Sequence, residues 1–271
     1  METAALLVVL VIALALFFDF TNGFHDTANA MATPIATGAL KPKTAVLLAA
    51  LLNLAGAFLS TEVAQTISGG IINEEQLTND VFPAVIFAGL IGAITWNMLT
   101  WLLGLPSSSS HALFGGLIGA TIVGVSASAV NFSVVVSKVI LPAVIAPLTA
   151  GIIAYTATKL AYAITRRYDS KPDGRDGFRW GQIFTSSLVA LAHGTNDAQK
   201  TMGIIALALA SGTAAGRLDN LPWWLSFLHV PQPATGHNLP IAWWIKVTCA
   251  LVMAAGTAGG GWRIIKTLGH K

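Results

Sequence analysis

The chain alternates long apolar stretches with short polar ones. Val81–Leu103, Ala112–Val130 and Val139–Ala157 contain no charged residue. A membrane-crossing helix needs roughly 20 apolar residues, fewer when the helix is broken. On that criterion the pattern predicts seven crossings, some of them broken, at 4–29, 43–61, 81–103, 112–130, 139–162, 181–212 and 241–261. The expected fold is an all-α membrane protein, a polytopic helical bundle. One stretch disturbs the pattern. In "FDFTNGFHDTANAMAT" (Phe18–Thr33), the carboxylates Asp19 and Asp26 and the carboxamides Asn22 and Asn29 follow directly on an apolar run.

Composition agrees with a membrane assignment. Hydrophobic residues make up 54% of the 271 and charged residues 10%, against about 25% charge in soluble domains. The N-terminus has Glu2 instead of a basic flank, and no small-residue cleavage site precedes the polar motif. It is therefore read as a retained span and not a signal peptide. The single Cys249 cannot form an internal disulfide and does not report on redox compartment.

The placement of the charges predicts orientation. If the N-terminus lies outside, the cytoplasmic segments carry Lys41, Lys43, Arg166, Arg167, Lys171, Arg175, Arg179, Arg263, Lys266 and Lys271. The opposite side then holds Lys138 and Arg217, with Glu62, Glu74, Glu75 and Asp80 in one loop. Basic residues collect in cytoplasmic loops, so this orientation is favoured. It implies a multi-pass protein of the cell (inner) membrane. The predicted organisation is a first transmembrane repeat over 1–162, a cytoplasmic linker over 163–180, and a second, incomplete repeat over 181–271. The linker "RRYDSKPDGRDGFRW" carries Pro-Asp-Gly and Arg-Asp-Gly turns and reads as solvated. In the loop 217–240, "LPWWLSFLHVPQP" suits an interfacial segment, with His229 and His237 as plain loop residues.

The word repeat rests on a match. "NGFHDTAN" (Asn22–Asn29) and "HGTNDAQK" (His193–Lys200) both read Gly-x-[His/Asn]-Asp-x-x-[Asn/Lys] after an apolar lead-in. By the charge count the two copies enter from opposite sides. That is the signature of an inverted-topology repeat, whose broken helices meet at a midplane site. Asp19, Asn22, Asp26 and Asn29 follow i, i+3, i+7, i+10, one stripe of a helix. Asn196, Gln199 and Lys200, and Asp197 with Lys200, lie within one turn. Ionisable groups inside a membrane are costly and face a bundle interior or a water-filled cavity. The alternative is polar groups that lock helices together by hydrogen bonds; for Asn53 the two readings are balanced. Carboxylates and amide oxygens are hard donors suited to a small cation or a proton, and Lys200 adds the positive charge an anion needs.

A third element, "GLPSSSSHALFGGLIGA" (Gly104–Ala120), breaks one apolar span and opens the next with four serines. Free backbone amides and hydroxyls at a helix N-terminus hold oxyanions such as phosphate or sulfate. Serine is also a common N-cap. His111 reads equally as a proton-coupling group or a hydrogen-bonded helix-start residue. Beside two intramembrane aspartate motifs, the serine loop points to cation-coupled oxyanion transport.

"NGFHDTANAMAT", "TWNMLTWLLGLPSSSSHALFGGLIG" and "AHGTNDAQKTMGI" resemble the signature segments of the inorganic phosphate transporter (PiT) family, in its order, over nearly the whole chain. His25, the serine-only break and the Asn-Asp-x-Gln-Lys copy are most similar to its bacterial low-affinity branch. The resemblance implies a non-enzymatic importer of inorganic phosphate in symport with H+ or Na+; the bacterial branch is associated with protons and neutral metal–phosphate complexes. It implies phosphate held by Ser108, Ser109 and Ser110, with Gln199 and Lys200. Cation or proton coupling would fall to Asp26, Asn29 and Asp197, supported by Asn22 and Asn196. Asp26 and Asp197 would be the metal ligands if the ion is sodium. The expected partners are inorganic phosphate, a coupling cation, the lipid bilayer and a second copy of the chain, with no covalent cofactor and no nucleic acid. A divalent metal is a further candidate. Family members usually carry a second Gly-x-Pro-[Ser/Thr]-rich-His segment after the last span seen here, and this chain stops at "GGWRIIKTLGHK". Many relatives also have Glu near where Asn53 falls.

Two rivals remain at this point. A sulfate permease would use the same scaffold, although a protonated phosphate can donate to a carboxylate and sulfate cannot. An intramembrane aspartyl protease would use two aspartates sharing a proton, but its Tyr-Asp and Gly-x-Gly-Asp contexts are missing.

Overall fold

The computed structural model describes residues 3–60, 71–72, 81–166, 172–230, 241–259 and 261–269. The expected acidic loop (Glu62, Glu74, Glu75 and Asp80), Arg167, Lys171 and His237 lie outside them. Eight helices organise the described residues: α1 (Thr3–Ala36), α2 (Pro42–Gly56), α3 (Phe82–Leu103), α4 (Ser109–Gly124), α5 (Phe132–Thr165), α6 (Pro172–Ala214), α7 (Trp243–Gly259) and α8 (Trp262–Gly269). Ala5–Ala36, Phe82–Leu103 and Phe132–Thr165 are long and apolar enough to cross a membrane, while α2, α4 and α7 are shorter apolar helices. α6 is long, but it carries both a charged start and the polar motif around Asp197.

α1 is the hub, touching α2, α3, α6, α7 and α8. Val8, Val11, Ala15 and Phe18 are buried on its inner face, while Leu6, Leu10 and Phe17 are exposed. This follows the 3.6-residue period of a one-sided helix. α8 closes over the end of α3: Ile264 and Ile265 are buried beside Ala28 and Val46, and Arg263 Nη1 donates to Leu102 O at 3.1 Å.

Two of the helix crossings built on glycine match each other. A Cβ on Gly23 of α1 would lie 2.9 Å from Thr257 N of α7, and one on Gly256 would meet Phe20. A Cβ on Gly194 of α6 would lie 2.5 Å from Asn53 Cα of α2, and one on Gly56 would lie 2.8 Å from Thr195 N. The same step along the chain carries Phe20 and Gly23 onto Leu191 and Gly194. Another carries Asn53, Gly56 and Ala57 onto Met253, Gly256 and Thr257. α1 on α7 thus repeats as α6 on α2. Close approach of backbones through small residues is how membrane helices gain contact, since lipid offers no hydrophobic drive for association.

The structure differs from the sequence expectation at the aspartate motifs. α1 runs unbroken through Asp26 to Ala36, and α6 unbroken through Asp197. Glycine inside a helix costs only about 1 kcal/mol, and here its missing side chain admits a neighbouring helix. The break at "GLPSSSS" is present. Gly104 ends α3 in the left-handed conformation (φ 68°), with its N–H bonded to the Trp101 carbonyl at 3.0 Å. Residues 105–108 are non-helical before α4 starts. The expected linker 163–180 is partly helical: α5 continues to Thr165 and α6 begins at Pro172, a favoured residue at a first helical position. Trp223–Leu228 forms a short 3₁₀ helix with both tryptophans exposed. His229 Nε2 lies 3.5 Å from Asp219 Oδ1.

Candidate functional site

The serine break lies against the middle of α1 and α6. Ser108 caps α4, accepting from His111 N at 3.3 Å, and its Oγ lies 2.8 Å from His111 Nδ1. Ser109 is buried, with its Oγ between Asn22 Oδ1 and Asp26 Oδ2, the latter at 2.6 Å. Its single hydrogen serves one of these acceptors at a time. Ser110 Oγ accepts from Lys200 Nζ, which also pairs with Asp197 Oδ1. Ser107 Oγ lies 3.3 Å from His25 Nε2, whose other neighbour is Thr100 Oγ1 at 3.1 Å.

The two aspartate motifs meet here. Asn22 Nδ2 donates to Asp197 Oδ2 at 3.3 Å, and Asn29 Nδ2 to Asp26 Oδ1 at 3.3 Å. His193 Nε2 stands between the carboxylates, 3.2 Å from Asp197 Oδ2 and 3.5 Å from Asp26 Oδ2. Asn53 orients this ring. Its Nδ2 donates to Thr257 Oγ1 at 2.8 Å, leaving Oδ1 to accept from His193 Nδ1 at 3.2 Å. With Nδ1 carrying that hydrogen, Nε2 faces two carboxylates and either bears a second proton or offers a lone pair to a cation. One ligand atom each from Asp26, His193 and Asp197 falls within 4.8 Å of the others, a spacing that suits a cation.

Beside this cluster opens a pocket of about 460 Å³, lined by Asp26, Asn29, Ser107, Ser108, Ser110 and Asp197. Of the residues singled out in the sequence, Asp26, Asn29, Asp197, Ser108 and Ser110 line it. Asn22, Ser109 and Lys200 bond to lining residues. Gln199 and Asn196 do not line it. Gln199 is fully buried and donates to Thr195 O at 2.5 Å, while Asn196 is exposed and donates to Ala192 O at 2.9 Å. Sequence reasoning assigned no role to His193. The signal was available, because His193 precedes Asp197 by one helical turn, as Asn22 precedes Asp26.

A model of the phosphate transporter family matches residues 22–174 and 164–271. The chain belongs to the phosphate transporter family. Members similar to it include the probable low-affinity inorganic phosphate transporter of Mycobacterium tuberculosis (strain ATCC 25618 / H37Rv), 54% identical over 99% of this chain and 59% of the relative. That of Bacillus subtilis is 40% identical over 100% of this chain and 74% of the relative. Low-affinity inorganic phosphate transporter PitB of Escherichia coli is 33% identical, over 80% of this chain and 48% of its own length. The chain spans 58–59% of the length of the mycobacterial relatives it matches. The solved structure of "The sodium-dependent phosphate transporter" shares its fold, with a TM-score of 0.65 at 19% identity over 97% of this chain and 78% of that one. The expected family and the helical membrane fold are therefore borne out, and these relatives are named as transporters, not enzymes. The aspartyl protease reading has no support among them.

As a phosphate transporter family member, the chain brings its serine break and both aspartate motifs to one pocket. Losing the Ser108 cap by Ser108→Ala should cost about 1 kcal/mol. Thermal unfolding in detergent should move down modestly, far less than for changes at the glycine crossings.

Proposed function

We propose that this chain is the phosphate-handling part of a secondary transporter that imports inorganic phosphate in symport with a cation. The observation that carries this is the pairing, in one pocket, of hydroxyls and an ammonium with two carboxylates. Ser108, Ser110 and the N-terminus of α4 suit a tetrahedral oxyanion, and Lys200 neutralises one negative charge. Asp26 and Asp197 leave a second negative charge that repels the incoming anion. A cation or proton held by Asp26, His193 and Asp197 removes it, so anion and cation load together. Coupling then follows from charge balance. Na+ or a divalent metal carried with phosphate would use this triad, with Asn29 and Asn22 positioning the carboxylates.

The matched crossings of α1 on α7 and α6 on α2 support two repeats of opposite orientation, within 1–162 and 181–271. These would rock about the pocket in alternating access, in the inner membrane with the N-terminus outside. A second copy of the chain is the proposed partner within the bilayer.

Proteoliposomes loaded with buffer and given radiolabelled phosphate test the reading, with sodium and pH gradients imposed separately. Concentrative uptake under at least one gradient is expected, suppressed by excess unlabelled phosphate and not by excess sulfate. Suppression by sulfate alone would replace phosphate with sulfate as the substrate.

A further inference from the structure

One carboxylate in the membrane region takes no part in the pocket. Asp19 lies two turns before Asp26 on α1, about 10 Å along the axis. It is fully buried, and among the described residues neither carboxylate oxygen has a hydrogen-bond partner. Thr201 of α6, also fully buried, presents its hydroxyl to Asp19 without completing a hydrogen bond. The charged and titratable groups within electrostatic reach of Asp19 include His193, Asp197 and Lys200 of α6 and Cys249 of α7.

A bare carboxylate held away from water is costly, by several kcal/mol or more, unless something removes its charge. A metal ion is poorly suited to do so here, because hard cations take about six oxygen ligands. α1 is continuous through Asp19 and α6 through Thr201, so their backbone carbonyls are committed to helix hydrogen bonds. A proton needs no such ligand shell.

The same electrostatics ties Asp19 to the pocket. Asp197 repels negative charge at Asp19, while Lys200 attracts it. An oxyanion drawn to Lys200 adds negative potential at Asp19 and favours its neutral form. Departure of the oxyanion restores the attraction of Lys200 and favours release of the proton. Proton and oxyanion are thereby loaded and released together.

We propose that Asp19 is the proton-carrying residue of phosphate symport, holding a proton while phosphate is bound and releasing it to water when phosphate leaves. The only bond broken is the carboxyl O–H, and the proton leaves as hydronium on the side where the phosphate is released. The inference rests on the phosphate-symport reading above.

Two measurements on the 271-residue chain test it. The first is infrared spectroscopy of reconstituted membranes at neutral pH with phosphate present. A carbonyl stretch of a protonated carboxylic acid, shifted in D2O and lost in Asp19→Asn, is expected. Absence of an Asp19-dependent band overturns the proposal. The second compares two fluxes in proteoliposomes. Asp19→Asn should lose accumulation driven by a pH gradient yet keep phosphate–phosphate exchange, which moves no net proton, and Asp19→Glu should regain accumulation. Accumulation that survives in Asp19→Asn overturns the proposal, as does loss of exchange together with accumulation. A wild-type chain with no phosphate flux in either mode removes the symport reading itself, and the coupling role with it. That result differs from a missing band with normal flux, which removes Asp19 alone.

Discussion

Gly194→Val should leave no folded protein in the membrane. A Cβ at this position would sit 2.5 Å from the Cα of Asn53, with the Asn53 carbonyl carbon at 2.8 Å. Both are backbone atoms, so no rotamer change can relieve the clash. Either α6 or α2 must move. Moving them separates His193 from Asn53 and pulls Asn53 from Thr257. Overpacking a well-filled interior costs typically 1–3 kcal/mol where side chains can give way. With backbone on both sides the cost should exceed about 3 kcal/mol, a large share of the 5–15 kcal/mol that holds a typical domain together. Size-exclusion chromatography of detergent-solubilised protein should show aggregate in place of the wild-type peak. Recovery of a monodisperse peak at the wild-type position, with unchanged thermal stability, would contradict the crossing described here.

Asp26→Asn should abolish coupled phosphate uptake and leave membrane insertion intact. Asp26 accepts from Ser109 and Asn29 and faces His193. The amide keeps the size of the group and removes its charge. Lys200 is then balanced by Asp197 alone, and a cation bound in the triad loses one of its two anionic ligands. Truncating one member of a buried charged pair costs about 2–5 kcal/mol, which is roughly 30-fold or more in affinity. Uptake under the driving gradient should fall by at least that factor in a version of the protein that transports. Normal uptake with normal cation dependence would remove Asp26 from the site.

What the sequence disclosed follows from which residues have only one physical use. Gly104, Pro106 and the serines have few roles inside an apolar run other than ending one helix and opening another, and the break was legible. Two aspartates in matched contexts were likewise hard to explain as structural. The glycines were ambiguous, because Gly23 and Gly194 suit unwinding and close packing equally. Only the positions of α7 and α2 decide for packing. The partner half of that pattern, "LNLAGA" around Gly56 and "VMAAGT" around Gly256, is visible in the sequence. Nothing in it marks those small residues as contacts until the helices they touch are known. Asn53 was hidden for a related reason. It is a lone polar residue on an apolar helix, and its role lies in a hydrogen bond to His193, on a helix far away in sequence. Asp19 shared a stripe with Asn22 and Asp26 in the sequence. Tertiary packing separates it from them, because α6 covers it with Thr201.

Ser109 stands between Asn22 Oδ1 and Asp26 Oδ2, and its lone hydroxyl hydrogen can satisfy one of them. When Ser109 serves Asn22, Asp26, which lines the pocket, is left one hydrogen short. A guest that brings its own O–H completes the set, and one that brings only oxygens leaves the deficit in place. At neutral pH, phosphate still carries a hydroxyl and sulfate does not. A choice between two anions of nearly equal size and shape can therefore rest on a single hydrogen atom.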